Sequence, residues 1–470
     1  MSATPTTPVP SAPPSAAAEQ DARNRRRAGR AAFIGTLLEY YDFTLFGLVA
    51  ATVFPTVFFA GASPFMATLL SIATFSIAFV IRPFSGALLG SLGDRLGRRK
   101  LLFFSMMVMG VATVGIGLIP GVASIGTLAP ALLIAMRVLQ GVGASAEYSG
   151  ATLVAVEFAP TNRRGLLGSL PGLGGGLGTL TGTLILLLAQ AALTREQFLA
   201  WGWRVPFLIG GAILAYGLWI RSRLPETPEF VNATSVSRAP LRETLRRYPR
   251  ALTGSVLLFA SRTGLAYFLI VFLVSHAVGK VGLAAAAAFA GVLVAQIVNP
   301  LLIPVFGRLS DAVGRFGILA GGLLLIALMA FPLFWWFIRP DWPAGFAVGL
   351  VLAYGVGIAA LIGPSGRLMA EEFPVRYRYT AMGVGIETGT AVGGAVVPPL
   401  AVALTFSGTA GTAPLSLLVM ALAVLGLAGL ALLRWTGSRN RDTENRDTPS
   451  PQAGAVGGTA QRDHPAAVAD

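Results

Sequence analysis

Gly90-Ser-Leu-Gly-Asp94-Arg95-Leu-Gly97-Arg98 and Gly307-Arg-Leu-Ser-Asp311-Ala-Val-Gly314-Arg315 both read G-x-x-x-D-x-x-G-R. Each copy fills a short gap between two apolar stretches long enough to span a bilayer, which takes about 20 residues. A second pair repeats at nearly the same offset. Glu157-Phe-Ala-Pro160-Thr-Asn-Arg163-Arg164 and Glu371-Glu372-Phe-Pro374-Val-Arg376-Tyr-Arg378 both read E-x-x-P-x-x-x-R. The chain therefore reads as two like halves in a membrane, and duplicated halves are characteristic of transporters.

Working outward from these motifs, the composition agrees. Of 470 residues, 54% are apolar and 12% are charged, where a soluble protein carries about 25% charge. No cysteine is present, which excludes disulfides and cysteine-metal sites. The two histidines, His276 and His464, are remote from each other in sequence, so no histidine catalytic site and no zinc site is expected. No nucleophile–base cluster or phosphate loop is visible, and an enzyme is not expected. The net charge of +14 raises nucleic acid as a partner, but the basic residues fall in alternate gaps between apolar runs. That is the positive-inside pattern of a membrane protein, so lipid and not nucleic acid is the expected surroundings.

Runs of about 20 apolar residues number twelve, with approximate spans 32–56, 66–92, 99–119, 127–158, 165–192, 202–221, 250–276, 284–306, 315–338, 345–370, 380–405 and 413–434. Gly168, Gly172 and Gly176 in the fifth form G-x-x-x-G-x-x-x-G, a surface for close helix contact. Loop charges give the orientation. Arg23 to Arg30, Arg95 to Lys100, Arg163 and Arg164, the connection from Arg221 to Arg250, and Arg308, Arg315, Arg376 and Arg378 share one side. The opposite loops hold only Arg195, Lys280 and Arg339. Both termini are thus expected to be cytoplasmic. The resulting division is a disordered basic N-terminal tail over 1–30, a six-helix bundle over 31–221, a cytoplasmic linker over 222–249, a second six-helix bundle over 250–435 and a disordered tail over 436–470. Leu241 to Tyr248 in the linker reads as amphipathic and suited to the membrane surface.

Twelve spans, a long central loop and the two G-x-x-x-D-x-x-G-R loops resemble the major facilitator superfamily, and Arg137-Val-Leu-Gln140-Gly141 is similar to its R-x-x-Q-G element. Further segments are similar to its metabolite:proton symporter family, which holds shikimate, alpha-ketoglutarate, citrate and proline/betaine carriers. They include Gly35-Thr-Leu-Leu-Glu39-Tyr-Tyr41-Asp42-Phe43, Arg82-Pro83, Glu147-Tyr148-Ser-Gly150, Trp201-Gly-Trp203-Arg204, Glu226-Thr-Pro-Glu229-Phe230 and Phe373-Pro374-Val-Arg376-Tyr-Arg378. Two positions depart from the family. Ser145-Ala146 replaces a Gly-Gly pair, and Arg262-Thr263 stands where an acidic residue followed by Asn is expected. The resemblance implies an all-α integral membrane protein of the major facilitator fold. It also implies that the first, fourth, seventh and tenth helices line the cavity.

At about 1.5 Å per residue, Asp42, Arg137 and Arg262 all fall near mid-membrane. Ionised groups there are costly and face a cavity or a partner. Asp42 is the first candidate for proton uptake and release, with Glu39 and Glu147 next. Arg137, Gln140 and Arg262 are the candidate anion-binding residues, because a guanidinium fork fits a carboxylate. Tyr41, Tyr148, Tyr267 and Asn299 are further candidates to line the site. The structural alternative makes Asp42–Arg137 an ion pair. Glu387 reads as a second-half carboxylate or, with slight preference, a partner of Arg367.

The loop motifs read as paired inner gates: Gly90, Asp94, Arg95, Gly97, Arg98, Glu157 and Arg164 in one half, and Gly307, Asp311, Gly314, Arg315, Glu371 and Arg378 in the other. Gly97 and Gly314 are read as tight turns. The alternative, a pure topology signal, needs cations but no fixed Asp and Gly spacing. The expected function is import of a small organic acid with protons across the cell inner membrane, as a monomer, driven by the proton gradient and with no cofactor. A zwitterionic osmolyte carrier and a proton-antiport exporter are the alternatives.

Overall fold

In a computed structural model, residues 16–232, 240–406 and 411–447 are described. Among these residues, twelve helices are long and apolar enough to cross a membrane: α1 Glu19–Thr52, α2 Pro64–Leu96, α3 Arg98–Leu118, α4 Leu128–Glu157, α5 Thr161–Ala192, α6 Arg204–Ser222, α7 Pro249–Val281, α8 Ala285–Val313, α9 Arg315–Phe337, α10 Pro343–Glu372, α11 Arg378–Thr405 and α12 Ala413–Gly437. No strand occurs among the described residues. Large apolar side chains such as Phe84, Phe289 and Leu328 point outward, as befits a fold whose surroundings are as apolar as its interior.

Two expected boundaries are corrected. Helix already runs from Ala16, so residues 16–30 are not a disordered tail. This stretch is rich in Ala and Arg, which favour helix, and extending an existing helix needs no new nucleus. At the other end helix continues to Asp447, past the expected limit at 435. Residues 1–15 and 448–470 lie outside the described residues. The linker holds a helix at Pro240–Arg247, within one residue of the expected amphipathic stretch. One side of it docks on protein rather than lying wholly on a membrane surface. Pro240 and Thr244 are buried, and the Tyr248 ring stands 6.0 Å from that of Tyr377.

Close helix approach sets the halves against each other. The α5 glycine stripe faces the second half, as expected of a contact surface. A Cβ at Gly176 would stand 3.0 Å from Pro300 Cβ of α8, and one at Gly168 would stand 3.2 Å from Arg367 N of α10. Likewise α2 meets α11, where a Cβ at Gly86 would lie 3.0 Å from Gly383 O. Within the first half, Trp203 packs edge-on against Phe54, Phe58 and Phe207.

Candidate functional site

The first motif copy ends α2 and starts α3. Gly97 between them has φ +104°, and Gly314, its counterpart between α8 and α9, has φ +93°. L side chains rarely adopt these values, which accounts for glycine at both turns. With the chain so turned, each motif aspartate reaches across to the other half. Asp94 accepts hydrogen bonds from Tyr379 N at 3.2 Å, Thr380 N at 2.8 Å and Thr380 Oγ1 at 2.7 Å, all at the start of α11. Asp311 accepts from Gly165 N at 2.7 Å and Leu166 N at 3.0 Å, near the start of α5. Each carboxylate therefore caps a helix N-terminus of the opposite half, where free N–H groups and the helix dipole favour an anion.

The charges around these caps are also shared across the halves, in a pattern different from the expected pair of like networks. Arg98 lies 3.3 Å from Asp94 and 3.8 Å from Glu157, and donates to Val375 O at 2.8 Å. Glu157 takes Arg378 of the second half at 3.2 Å. Arg164 lies 2.8 Å from Glu229 of the linker and 3.8 Å from Glu371 of the second half. Glu371 also pairs with Arg315, and with Arg367 at 3.0 Å. Gly90 and Gly307 admit the partner backbone. Their Cβ atoms would stand 2.9 Å from Thr380 Cα and 2.7 Å from Gly165 O, respectively. Arg95 is exposed and enters none of these contacts. The linker adds its own cap: Glu226 accepts from Arg98 N at 3.0 Å and Arg99 N at 3.3 Å. At the same face, burial pushes the Tyr377 phenol up to about 12, and its hydroxyl donates to Glu243 of the linker helix.

Deeper in the bundle lie the buried charges. Asp42 is held by neutral donors, with Gln140 Nε2 at 2.7 Å from both oxygens and Thr113 Oγ1 at 2.7 Å. Arg137 does not pair with it within 4.0 Å, so the direct Asp42–Arg137 ion pair is corrected. Gln140 stands between them, its Oε1 accepting from Arg137 at 3.1 Å. The guanidinium of Arg137 is enclosed by the rings of Phe46, Phe43 and Phe75, at 4.0, 5.1 and 5.1 Å. Glu147 forms a two-point pair with Arg221 of α6.

At the meeting of the halves, Arg82 binds Glu39 of its own half, and Glu387 of the other at 2.7 Å. Glu387 is therefore not the partner of Arg367, which instead lies 2.9 Å from Asp311. The helix contact at Gly86 decides this by setting Glu387 against α2. Arg262 is buried, yet no described carboxylate lies within 4.0 Å of it. It donates to Tyr148 Oη and Ser365 Oγ, each at 3.4 Å, and lies 4.2 Å over the Phe259 ring.

Residues 32–398 match the family model described as Major Facilitator Superfamily. The chain belongs to the major facilitator superfamily. It is 35% identical over 387 residues to the Escherichia coli (strain K12) shikimate transporter, covering 81% of this chain and 87% of that one. It is 36% identical over 413 residues to the inner membrane metabolite transport protein YhjE of the same organism, covering 85% and 92%. Among solved structures, the proton:xylose symporter XylE superimposes with a TM-score of 0.68 at 16% identity, covering 88% of this chain and 96% of that one. As a member of this superfamily the chain is a transporter.

In this major facilitator chain the candidates from sequence separate into groups. Arg262 and Tyr148 meet at the interface of the halves. Tyr267 also stands at the interface of the halves, its ring 6.2 Å from that of Phe79 of α2. Tyr41 does not: its hydroxyl donates to Pro206 O at 2.6 Å inside the first half. Its neighbour Tyr40 faces the centre instead, packed against the apolar cluster that holds Tyr148 and Phe259. One residue along a helix turns a side chain by about 100°, and sequence alone did not separate the two. Asn299 donates to Tyr354 O at 3.0 Å and ties α8 to α10. Arg221, Ser365 and Tyr354 were missed. Arg221 carried a signal as a cation at the end of an apolar run, but it was counted as a topology charge.

Proposed function

We propose that the protein imports a small organic anion, a carboxylate metabolite, together with protons across the cell inner membrane. The single observation that carries this reading is Arg262. A buried guanidinium with no ion-pair partner among the described residues, at the junction of two halves, is costly unless an anion comes to it, and its fork suits a carboxylate. Tyr148 and Ser365 supply hydroxyls beside it. The name of one relative, a transporter of the carboxylic acid shikimate, supports the same class. Asp42 and Glu39 are the proton carriers in this reading. Glu147, held at two points by Arg221, is structural.

Alternating access then runs on the two capped interfaces. With both termini cytoplasmic, the Asp94, Arg98, Glu157, Arg378 set and the Asp311, Arg164, Glu371, Arg315 set form an inner gate that breaks as the halves rock. The carrier works as a monomer, with the proton gradient as its energy source. The test is uptake into proteoliposomes with an imposed pH gradient, inside alkaline, using shikimate first and then other mono- and dicarboxylates. Accumulation of at least one acid is expected, with loss of it in Arg262→Gln. If every carboxylate ignores the gradient, or Arg262→Gln takes up the acid with unchanged KM, this reading is wrong.

A further inference from the structure

Arg82 holds two buried carboxylates, one from each half. Two carboxylates on one guanidinium leave a surplus negative charge, and burial makes that expensive. The imbalance is located: Glu39 Oε2 is buried and has no hydrogen-bond partner. A proton on Glu39 removes the surplus. Arg262 shows the opposite imbalance, a buried cation with no described carboxylate within 4.0 Å. It belongs to the same half as Glu387, on a touching helix. A Cβ at Gly389 of α11 would lie 2.7 Å from Phe259 Cβ of α7, and Glu387 is within electrostatic reach of Arg262.

We propose that these four groups exchange partners as the halves move, and that this exchange couples proton to anion. With the motif face closed, Glu387 holds Arg82, Glu39 carries a proton and Arg262 is free to hold an anion. When the halves part at that face, Glu387 is drawn away from Arg82 and takes Arg262, expelling the anion. Arg82 keeps only Glu39, which releases its proton to the side just opened and pairs with it. The charges balance at each stage. Closed and loaded with one carboxylate, the set is neutral. Open and empty, it is two ion pairs and again neutral. Closed with a proton but no anion, the charge left over is the Arg262 guanidinium, which is then open to an anion, and opening from that state still releases the Glu39 proton. Through Glu39 this exchange carries one proton with one substrate carboxylate.

The groups facing Glu39 are Arg82 from α2, Glu387 from α11, Glu147 from α4 and, on its own helix, Tyr40. Tyr267 of α7 also lies within reach. Glu147 stays with Arg221 inside one half, so it has no partner to exchange. The anion side of this proposal rests on the proposed function, whereas the proton side is testable without any substrate.

The absence of cysteine makes a single reporter possible. Thr152 is buried, with its Cγ2 3.0 Å from where a Cβ on Gly366 of the other half would stand. Thr152→Cys in the full chain is labelled with a maleimide, without substrate, from about pH 5.5 to about pH 8.5. Rates are divided by those of the denatured chain to remove the thiol's own titration. The parent is expected to label faster as pH rises, approaching about tenfold per unit where one proton leaves on opening. Glu39→Gln should be slow at every pH. Glu387→Gln should be fast at every pH. Arg262→Gln should keep the slope at a lower rate, because Glu387 loses its second partner. A Glu39→Gln slope equal to the parent's, or a Glu387→Gln rate no higher, overturns the proposal. Arg82→Lys keeps the charge but not the fork; it must raise the rate and flatten the slope, and an unchanged profile overturns the proposal even if Glu39→Gln fails to fold. Uptake that ignores carboxylates beside an intact pH-dependent labelling strikes the anion reading and leaves the proton exchange standing.

Discussion

Replacing Asp94 by Asn removes one charge from the closed face and almost no volume. The carboxylate accepts from Tyr379 N, Thr380 N and Thr380 Oγ1 and lies 3.3 Å from Arg98. Bonds to a charged group contribute about 1.5–3 kcal/mol each, and neutral ones about 0.5–1.5. An Asn can keep two of the three as neutral bonds, while its NH2 faces a donor. Water solvates the α11 N-terminus once the halves part, so part of the loss is returned in the open state. The net cost to closure is about 2–3 kcal/mol, or roughly a 30- to 150-fold shift toward opening. Ser169→Cys reads it, since Ser169 is buried against Gly307 of the other half. Maleimide labelling in membranes should accelerate with Asp94→Asn and stay at the parent rate with Arg95→Gln, whose side chain is exposed outside the network. If Arg95→Gln opens the face and Asp94→Asn does not, the motif is a topology signal and the capping argument fails.

Glu147→Gln should act on stability. It strands Arg221 as a buried unpaired cation, at a cost of about 3–5 kcal/mol, visible as a lower thermal midpoint of the purified protein. Unchanged stability with lost pH-driven uptake would instead return Glu147 to the proton path. Alanine at the two positive-φ glycines should cost about 1–3 kcal/mol each in strain. Gly97→Ala should be the worse, because its Cβ would also stand 3.1 Å from Glu226 Cδ, whereas nothing lies within 4 Å at Gly314. Equal thermal shifts for the pair would contradict the steric part of this argument.

How much of this was legible beforehand differs between helices and partners. The twelve spans followed from runs of apolar residues, with most ends within a few positions of the observed ones. The ends of the chain are less legible, because polar, arginine-bearing sequence outside an apolar run reads as a tail, although Ala16 to Arg30 is good helix sequence that extends α1. Glu387 shows the limit at the site. Its depth marked it as a charge needing a partner, and Arg367 was a plausible one in the same half. The chosen partner, Arg82, is 305 positions away.

By itself the sequence determined a duplicated membrane chain of twelve helices, the glycine turns at Gly97 and Gly314, and most of the buried ionisable residues, Arg221 excepted. These follow from local properties: hydropathy over a span, the φ a turn needs, and the cost of a charge at depth. Only the tertiary structure decided which charge meets which. It separated Asp42 from Arg137 by inserting Gln140, committed Glu147 to Arg221, set Tyr40 rather than Tyr41 toward the centre, and crossed each motif aspartate to the other half. The reason is that ion pairing falls off over a few ångströms. Those few ångströms are set by glycine contacts such as Gly86 on Gly383, between segments hundreds of residues apart.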